Sequence, residues 1–307
     1  IENEQIIRNK FSIKSNKDPC YLMKSIKNKT EIKYMQNSHI EDGLALTKFI
    51  YWIKKSLNKN IKVTELDAQK KLEKFRKLNK NYLFPSFNTI AGTGANGAII
   101  HYRATKESSK VINRKDLFLC DSGGQYKYGT TDVTRTICFS KQSQRIMNIY
   151  TKVLKGHIAV VTSNLSRCSN GRQIDIRARK YLKKDGLDYA HGTGHGVGFF
   201  SNVHEGPQSI SKYNNIKLQK GMVVSNEPGY YKENNFGIRI ENLIFINKKK
   251  KLFFENLTLS PIEKDLVNYK LLNKQERNYL DTYHLDILSK YYKYLNKPER
   301  KWLLTLI

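Results

Sequence analysis

Two strand-turn-strand units, each with a pair of acidic residues at matching places, constrain this chain more than any other feature. In the first, Asp121 ends the apolar run Leu117 to Cys120, Gly123, Gly124 and Gly129 allow a reversal, and Asp132 opens the returning segment. In the second, Glu227 follows Val223 to Asn226, Pro228-Gly229 starts the turn, and Glu241 sits on the returning run Ile238 to Ile246. Hairpin pairing sets the acids of each unit near one another. Along the second returning run a period of two places Arg239 and Glu241 on one face and Ile238 and Ile240 on the other.

Two helices precede each hairpin. Thr30 is expected to cap the first, with Ile32, Met35, Ile40, Leu44, Ile50, Ile53 and Leu57 at roughly helical spacing, weakened but not broken by Gly43. Thr64 with Asp67 opens a second that carries Leu66, Leu72, Phe75 and Leu78. Between Phe84 and Phe139 short apolar runs separated by glycines, among them Ala98 to Tyr102, Leu117 to Asp121 and Thr130 to Phe139, predict strands. The order then returns: a helix on Ile146, Ile149, Tyr150, Val153, Leu154, Ile158 and Val161, another over Asp175 to Lys184, then strands through Met222 to Ser225 and Ile238 to Ile246. Two halves of one order predict a pseudo-symmetric α+β domain, with helices over one face of a curved, mostly antiparallel sheet. The segment from Glu263 to Ile307 reads as an appended helical, aromatic arm.

With 307 residues and a mean hydropathy of −0.60, the chain is expected to be a soluble globular protein with ample length to bury a core. No window approaches the roughly 18 uninterrupted apolar residues of a bilayer span, which excludes a transmembrane reading. A net charge of +28 invites a nucleic-acid partner. That partner is disfavoured, because lysine is spread over nearly every segment and only Lys248 to Lys251 forms a run, at a place suited to a solvated turn. Cys20, Cys120, Cys138 and Cys168 are far apart, so neither a thiolate zinc site nor a disulfide framework is indicated, and a reducing cytoplasm fits. The first residue is Ile1, and the chain is expected to be a fragment.

Four carboxylates converging in a core repel one another unless something positive joins them, and divalent cations are the usual answer. His195, in the glycine-rich stretch His191-Gly-Thr-Gly-His195-Gly, offers a nitrogen ligand; the glycines oppose a helical His-x-x-x-His zinc pair. An oxygen-rich set with one imidazole suits Mn²⁺, Fe²⁺ or Co²⁺ at least as well as Zn²⁺. Two ions held this way would share a hydroxide and clamp nucleophile and substrate oxygen together.

Asp121-Ser-Gly-Gly-Gln-Tyr-Lys-Tyr-Gly-Thr-Thr-Asp132-Val-Thr-Arg-Thr, His191-Gly-Thr-Gly-His195-Gly-Val-Gly, Asn202-Val-His204-Glu-Gly-Pro, Asn226-Glu227-Pro-Gly-Tyr-Tyr and Gly237-Ile-Arg-Ile-Glu241-Asn closely resemble the aminopeptidase P family, the X-Pro aminopeptidases of the pita-bread metallopeptidases. Asn96 to Tyr102 and Leu257 to Ile262 resemble its long, eukaryotic-cytosolic branch. The resemblance implies a pita-bread fold and a dinuclear, usually manganese, site. In it Asp132 and Glu241 bridge both ions, Asp121 holds one, and His195 and Glu227 hold the other. The implied reaction is hydrolysis of the first peptide bond of peptides with proline second, with Glu227 relaying a proton, His101, His191 and His204 positioning substrate, and Arg239 orienting a ligating carboxylate. It also implies a homodimer through the C-terminal region, no membrane, and a division into a stub over 1–18 left by N-terminal domains, a catalytic domain over 19–262 and an extension over 263–307. The segment Phe84 to Gly94 departs from the family pattern and is expected to alter the pocket wall. A prolidase, a methionine aminopeptidase or a non-catalytic binding protein on the same fold are the rival readings. His39, His157 and His284 match no motif and read as ordinary helix residues.

Overall fold

A computed structural model describes residues 7–8, 10–12, 16 and 18–307 of the chain, and most of the stub expected over 1–18 lies outside the described residues. The long helix Lys29–Asn58 starts at Asn28 rather than at Thr30. Asn28 accepts from the Thr30 and Glu31 backbone N–H groups at 2.9 and 3.0 Å, and its own N–H donates to the Glu31 carboxylate at 2.7 Å. Asn outranks Thr as a cap, and the reciprocal acid lies three residues after Asn28. The helix Glu65–Lys77 does start at Thr64, with Asp67 as its reciprocal partner. Gly43 sits mid-helix because a Cβ there would strike the Leu259 carbonyl and the Tyr291 hydroxyl. Its helix cost of about 1 kcal/mol is the condition for that close approach.

In the first half Ile90–Thr93, Phe118–Ser122 and Val133–Ile137 form an antiparallel sheet with Asp121 opposite Thr134 and Ser122 opposite Val133. A small hairpin, Gly124–Tyr126 with Gly129–Thr130, fills the turn between the two acids. The strand expected over Ala98 to Tyr102 is absent. Gly94–Ala98 is a 3₁₀ turn, and the Tyr102 hydroxyl donates to Glu65 at 2.8 Å, which ties the following segment to a helix rather than to a sheet edge.

The second half repeats the order with the helices Gln144–Val161 and Gly171–Lys183. The single returning strand expected over Ile238 to Ile246 is two strands. Phe236–Arg239 pairs with Gly229–Lys232, whereas Asn242–Lys248 pairs with Val223–Asn226 and Leu252–Asn256. The break falls at Ile240-Glu241, where the Glu241 N–H leaves its own half and donates to the Thr134 carbonyl at 3.1 Å. Among the described residues the expected sheet is therefore five small antiparallel ones. Lys248 to Lys251 form the exposed turn between two of the strands.

Arg135, beside Thr134, fastens the halves to the C-terminal segment. Its buried guanidinium donates to Asn242 Oδ1, the Ser260 carbonyl and the Tyr283 hydroxyl at 2.8, 2.8 and 3.1 Å. The C-terminal helices Lys274–Tyr291 and Lys297–Leu304 put Leu280, Tyr283, Ile287, Tyr291 and Leu303 into the same apolar cluster as Tyr150, Leu154, Ile238 and Ile240. Among the described residues no helix is long and apolar enough to cross a membrane.

Candidate metal centre

The two hairpins meet where their acids lie. The carboxylates of Asp121, Asp132 and Glu241 place oxygens within 4.8 Å of one another, and so do the ligand atoms of His195, Glu227 and Glu241. Glu241 is shared by the two sets. Asp132 borders both, since its Oδ2 is 3.3 Å from His195 Nε2. Glycine makes this possible at position 194: a Cβ would strike the Ser225 carbonyl, so only a bare backbone lets the Gly194–His195 strand lie against Val223–Asn226. The His195 N–H donates to Ser225 Oγ at 2.9 Å, and Ser225 Oγ donates to Glu227 Oε1 at 2.9 Å.

The donor set fits a pair of divalent cations. Asp121 Oδ1, Asp132 Oδ1 and Glu241 Oε1 are buried without a hydrogen-bond partner among the described residues, which is costly for carboxylate oxygens. His195 donates Nδ1–H to the Gly196 carbonyl at 3.0 Å, so in the neutral ring the Nε2 lone pair faces the Asp132 and Glu227 carboxylates at 3.3 and 3.4 Å. A lone pair aimed at carboxylates is repulsive until a cation sits between them. Burial, then the neighbouring acids, push Asp132 and Glu241 well above the usual carboxylate range. Burial would also raise Glu227, but His195, His191 and Arg239 together outweigh it and hold it below its ordinary value. A second acidic cluster, Cys138, Glu263 and Asp265, is different: the Lys54 ammonium bonds Glu263 and Asp265 at 2.7 and 3.0 Å and already supplies the positive charge.

Arg239 holds the centre from below. Nη2 donates to Asp121 Oδ2 at 2.6 Å, Nε to Thr134 Oγ1 at 3.0 Å and Nη1 to the Tyr231 hydroxyl at 2.7 Å. Thr134 Oγ1 in turn donates to Glu241 Oε2 at 2.6 Å. Tyr231 passes its proton donation to His191 Nε2 at 2.9 Å, while His191 Nδ1–H donates to the Gly192 carbonyl at 2.7 Å. Both His191 nitrogens are thus engaged within the protein, and burial keeps the ring neutral by lowering its pKa. The His204 ring lies 3.8 Å from that of His195, and its pKa is lowered by burial and by that neighbour. His101 stands exposed at the mouth.

These residues line a cavity of about 560 Å³ whose other walls include Phe87, Asn88, Ile90, Ile100, Arg103 and Val203. Phe87, Asn88 and Ile90 come from the segment Phe84 to Gly94. Thr134, Ser225 and Tyr231 carry no sequence signal of their own; the repeat of acids at strand ends pointed to their neighbours, and only pairing register brings them in. By sequence His157 reads as an ordinary helix residue. It lies fully buried beneath the centre, with Nδ1 at 3.1 and 3.2 Å from the Asn226 and Ile240 carbonyls, each one residue before an acid of the site.

Residues 33–248 match the model of metallopeptidase family M24, and residues 250–306 match that of the C-terminal region of peptidase M24. The chain is 46% identical over 286 residues to a probable Xaa-Pro aminopeptidase P of Laccaria bicolor, with 89% of this chain and 44% of that protein aligned. It superposes with a TM-score of 0.90 and 35% identity on the X-prolyl aminopeptidase of Caenorhabditis elegans, described as a cytosolic enzyme with a di-nuclear active site, over 94% of this chain and 49% of that one. A prolidase of Pyrococcus horikoshii is more distant, at a TM-score of 0.66 and 29% identity over 79% of this chain and 66% of that one. The chain spans about half the length of the curated relatives it matches. With the sequence model covering the acids of both hairpins and the fold shared with a di-nuclear enzyme, this pita-bread chain belongs to metallopeptidase family M24.

Proposed function

We propose that the chain is the catalytic part of an X-Pro aminopeptidase, which hydrolyses the N-terminal peptide bond of peptides with proline in second position. The observation that carries this reading is the pair of ligand sets sharing Glu241 at the floor of an open cavity, in a chain 46% identical to a protein of that name. Residues 19–262 form the catalytic domain and 263–307 its extension. Asp121, Asp132 and Glu241 would hold one ion, and His195 and Glu227, with Asp132 and Glu241, would hold the other. Two divalent ions bound there, Mn²⁺ ahead of Zn²⁺, Co²⁺ or Fe²⁺, would supply Lewis acidity toward the scissile carbonyl and lower the pKa of water.

Glu227 Oε2, the oxygen not bonded to Ser225, accepts a proton from water and returns it to the departing proline nitrogen. His204 and His101 reach the substrate carbonyl as donors. His191, both of whose nitrogens are engaged, acts on substrate through Tyr231 and Arg239 by fixing the cavity wall. Phe87, Ile90, Ile100 and Val203 offer the pyrrolidine ring an apolar surface. The cytoplasm suits the four free cysteines, and a homodimer would cover Leu285 and Leu304 of the C-terminal helices with Tyr292 and Tyr294 of the 3₁₀ turn between them, all of which are exposed.

The test is hydrolysis of Ala-Pro-Ala, Ala-Pro-Pro and Ala-Pro by metal-stripped and Mn²⁺-loaded protein, with Asp132→Ala as control. Cleavage of the tripeptides only when loaded, lost in Asp132→Ala, is expected. Cleavage of the dipeptide alone would replace this reading by a prolidase. No cleavage, with salt-dependent retention on nucleic acid, would replace it by a binding protein.

A further inference from the structure

The cavity is lined by four acids, Asp121, Asp132, Glu227 and Glu241, and by two arginines, Arg103 and Arg239. Arg239 is occupied by Asp121, Thr134 and Tyr231. The Arg103 side chain, by contrast, enters no hydrogen bond, ion pair or ring contact among the described residues, and it is exposed at the cavity's edge. Two divalent ions neutralise four carboxylates, which leaves the lining with the positive charge of its arginines and Arg103 as the accessible one. Its backbone is held in place. Burial alternates across His101, Tyr102, Arg103 and Ala104, with the even positions inward. Tyr102 is the anchor: its hydroxyl donates to Glu65 at 2.8 Å and accepts from Asn96 Nδ2 at 2.7 Å. Arg103 is therefore presented on the same side as His101 by a pinned segment.

We infer that Arg103 is a specificity-determining residue that binds a carboxylate of the substrate on the leaving-group side of the scissile bond. This rests on the peptidase reading above and names what that cavity prefers. Two residues span at most about 7 Å, so a peptide extended past His101 brings a group about two residues further on to Arg103. In a tripeptide Xaa-Pro-Xaa that group is the terminal carboxylate; in a longer peptide it is an acidic side chain just beyond proline. A guanidinium fork takes either in two parallel hydrogen bonds.

The experiment compares Ala-Pro-Ala, Ala-Pro-Ala-amide and Ala-Pro-Glu-amide as substrates of the Mn²⁺-loaded parent, Arg103→Met and Arg103→Lys. In the parent the free acid is expected to exceed its amide in kcat/KM by about fivefold through KM, the upper end of what an exposed ion pair provides. The ratio is expected to fall toward one in Arg103→Met, to be retained in part in Arg103→Lys, and to shrink in the parent as salt rises. Preference for Ala-Pro-Glu-amide over Ala-Pro-Ala-amide assigns the side chain as a second source of the carboxylate; its absence restricts the site to short peptides. Calorimetry of the product Pro-Ala against its amide reads the same contrast without turnover. Absence of all hydrolysis would overturn the peptidase reading, while Arg103 stands or falls on the calorimetric contrast. A parental ratio near one, or a ratio unchanged in Arg103→Met, would overturn the inference.

Discussion

Replacing His157 by Gln tests whether a neutral imidazole underpins the two strands that carry the site. The ring is buried in the helix Gln144–Val161, Nδ1–H donates to the Asn226 and Ile240 carbonyls at 3.1 and 3.2 Å, and Nε2 has no partner among the described residues. Burial, then the Arg135 cation, pushes the pKa down from 6.5 to about 3. The unfolded chain therefore takes up this proton near pH 6.5, whereas the folded chain refuses it until about pH 3. Stability tied to the neutral ring is complete above pH 6.5 and is lost as pH falls toward 3. Between pH 7 and pH 5 protonation of the unfolded state alone removes about 2 kcal/mol, a figure almost independent of the folded value as long as that lies below 5. Gln keeps an N–H for the carbonyls and cannot titrate. Urea unfolding of both proteins in chelator at pH 7 and pH 5 is expected to show the variant losing about 2 kcal/mol less than the parent over that interval. At pH 7 the variant is expected to be weaker by about 1 kcal/mol, the usual worth of imperfect hydrogen bonds. Parallel pH dependences would refute the reasoning.

Metal-stripped protein is expected to gain stability on addition of Mn²⁺, by about 3 kcal/mol at a hundredfold excess over the dissociation constant, or several degrees in a thermal scan. Asp132→Ala should remove that gain and, in chelator, should not lower the melting temperature, because one of the repelling carboxylates is gone; a large drop in chelator would argue against repulsion. Arg239→Lys cannot reach Asp121, Thr134 and Tyr231 together, so calorimetry is expected to show metal affinity about 10- to 100-fold weaker. Asp42→Leu strips the buried Arg76 guanidinium of its carboxylate at 2.7 Å and is expected to cost about 3–5 kcal/mol in urea unfolding; a loss under about 1 kcal/mol would contradict a desolvated pair.

The parts of the centre legible in the sequence are those whose signal is local. Asp121, Asp132, Glu227 and Glu241 stand at strand ends in two units of the same order, whereas the period of two that would set Arg239 beside Glu241 does not apply, since the strand breaks between them. Helix starts follow the same logic: Thr64 with Asp67 reads directly, and Thr30 fails only because Asn28, two residues earlier, offers both a better cap and its own acid at Glu31. What stays hidden depends on partners far along the chain. Nothing near Ile240-Glu241 marks a strand break, because its cause is the Thr134 carbonyl in the other half, which draws the Glu241 N–H across. Ala98 to Tyr102 has strand composition, yet Glu65 captures the Tyr102 hydroxyl.

His157 shows why such residues escape a reading by motif. In the sequence it is one polar residue on the apolar face of a helix, where a hydrogen-bonded core histidine is the ordinary expectation. That expectation is right chemically and incomplete spatially: its acceptors are the carbonyls of Asn226 and Ile240, which belong to the two segments delivering Glu227 and Glu241. One neutral ring thus sets the spacing of two acids that repel each other in the absence of cations. Arg135 acts alike: its guanidinium bonds carbonyls, the Asn242 amide and the Tyr283 hydroxyl rather than an acid, so it holds backbone, whereas Arg239 and Thr134 each take one oxygen of Asp121 and Glu241 and leave the other for metal.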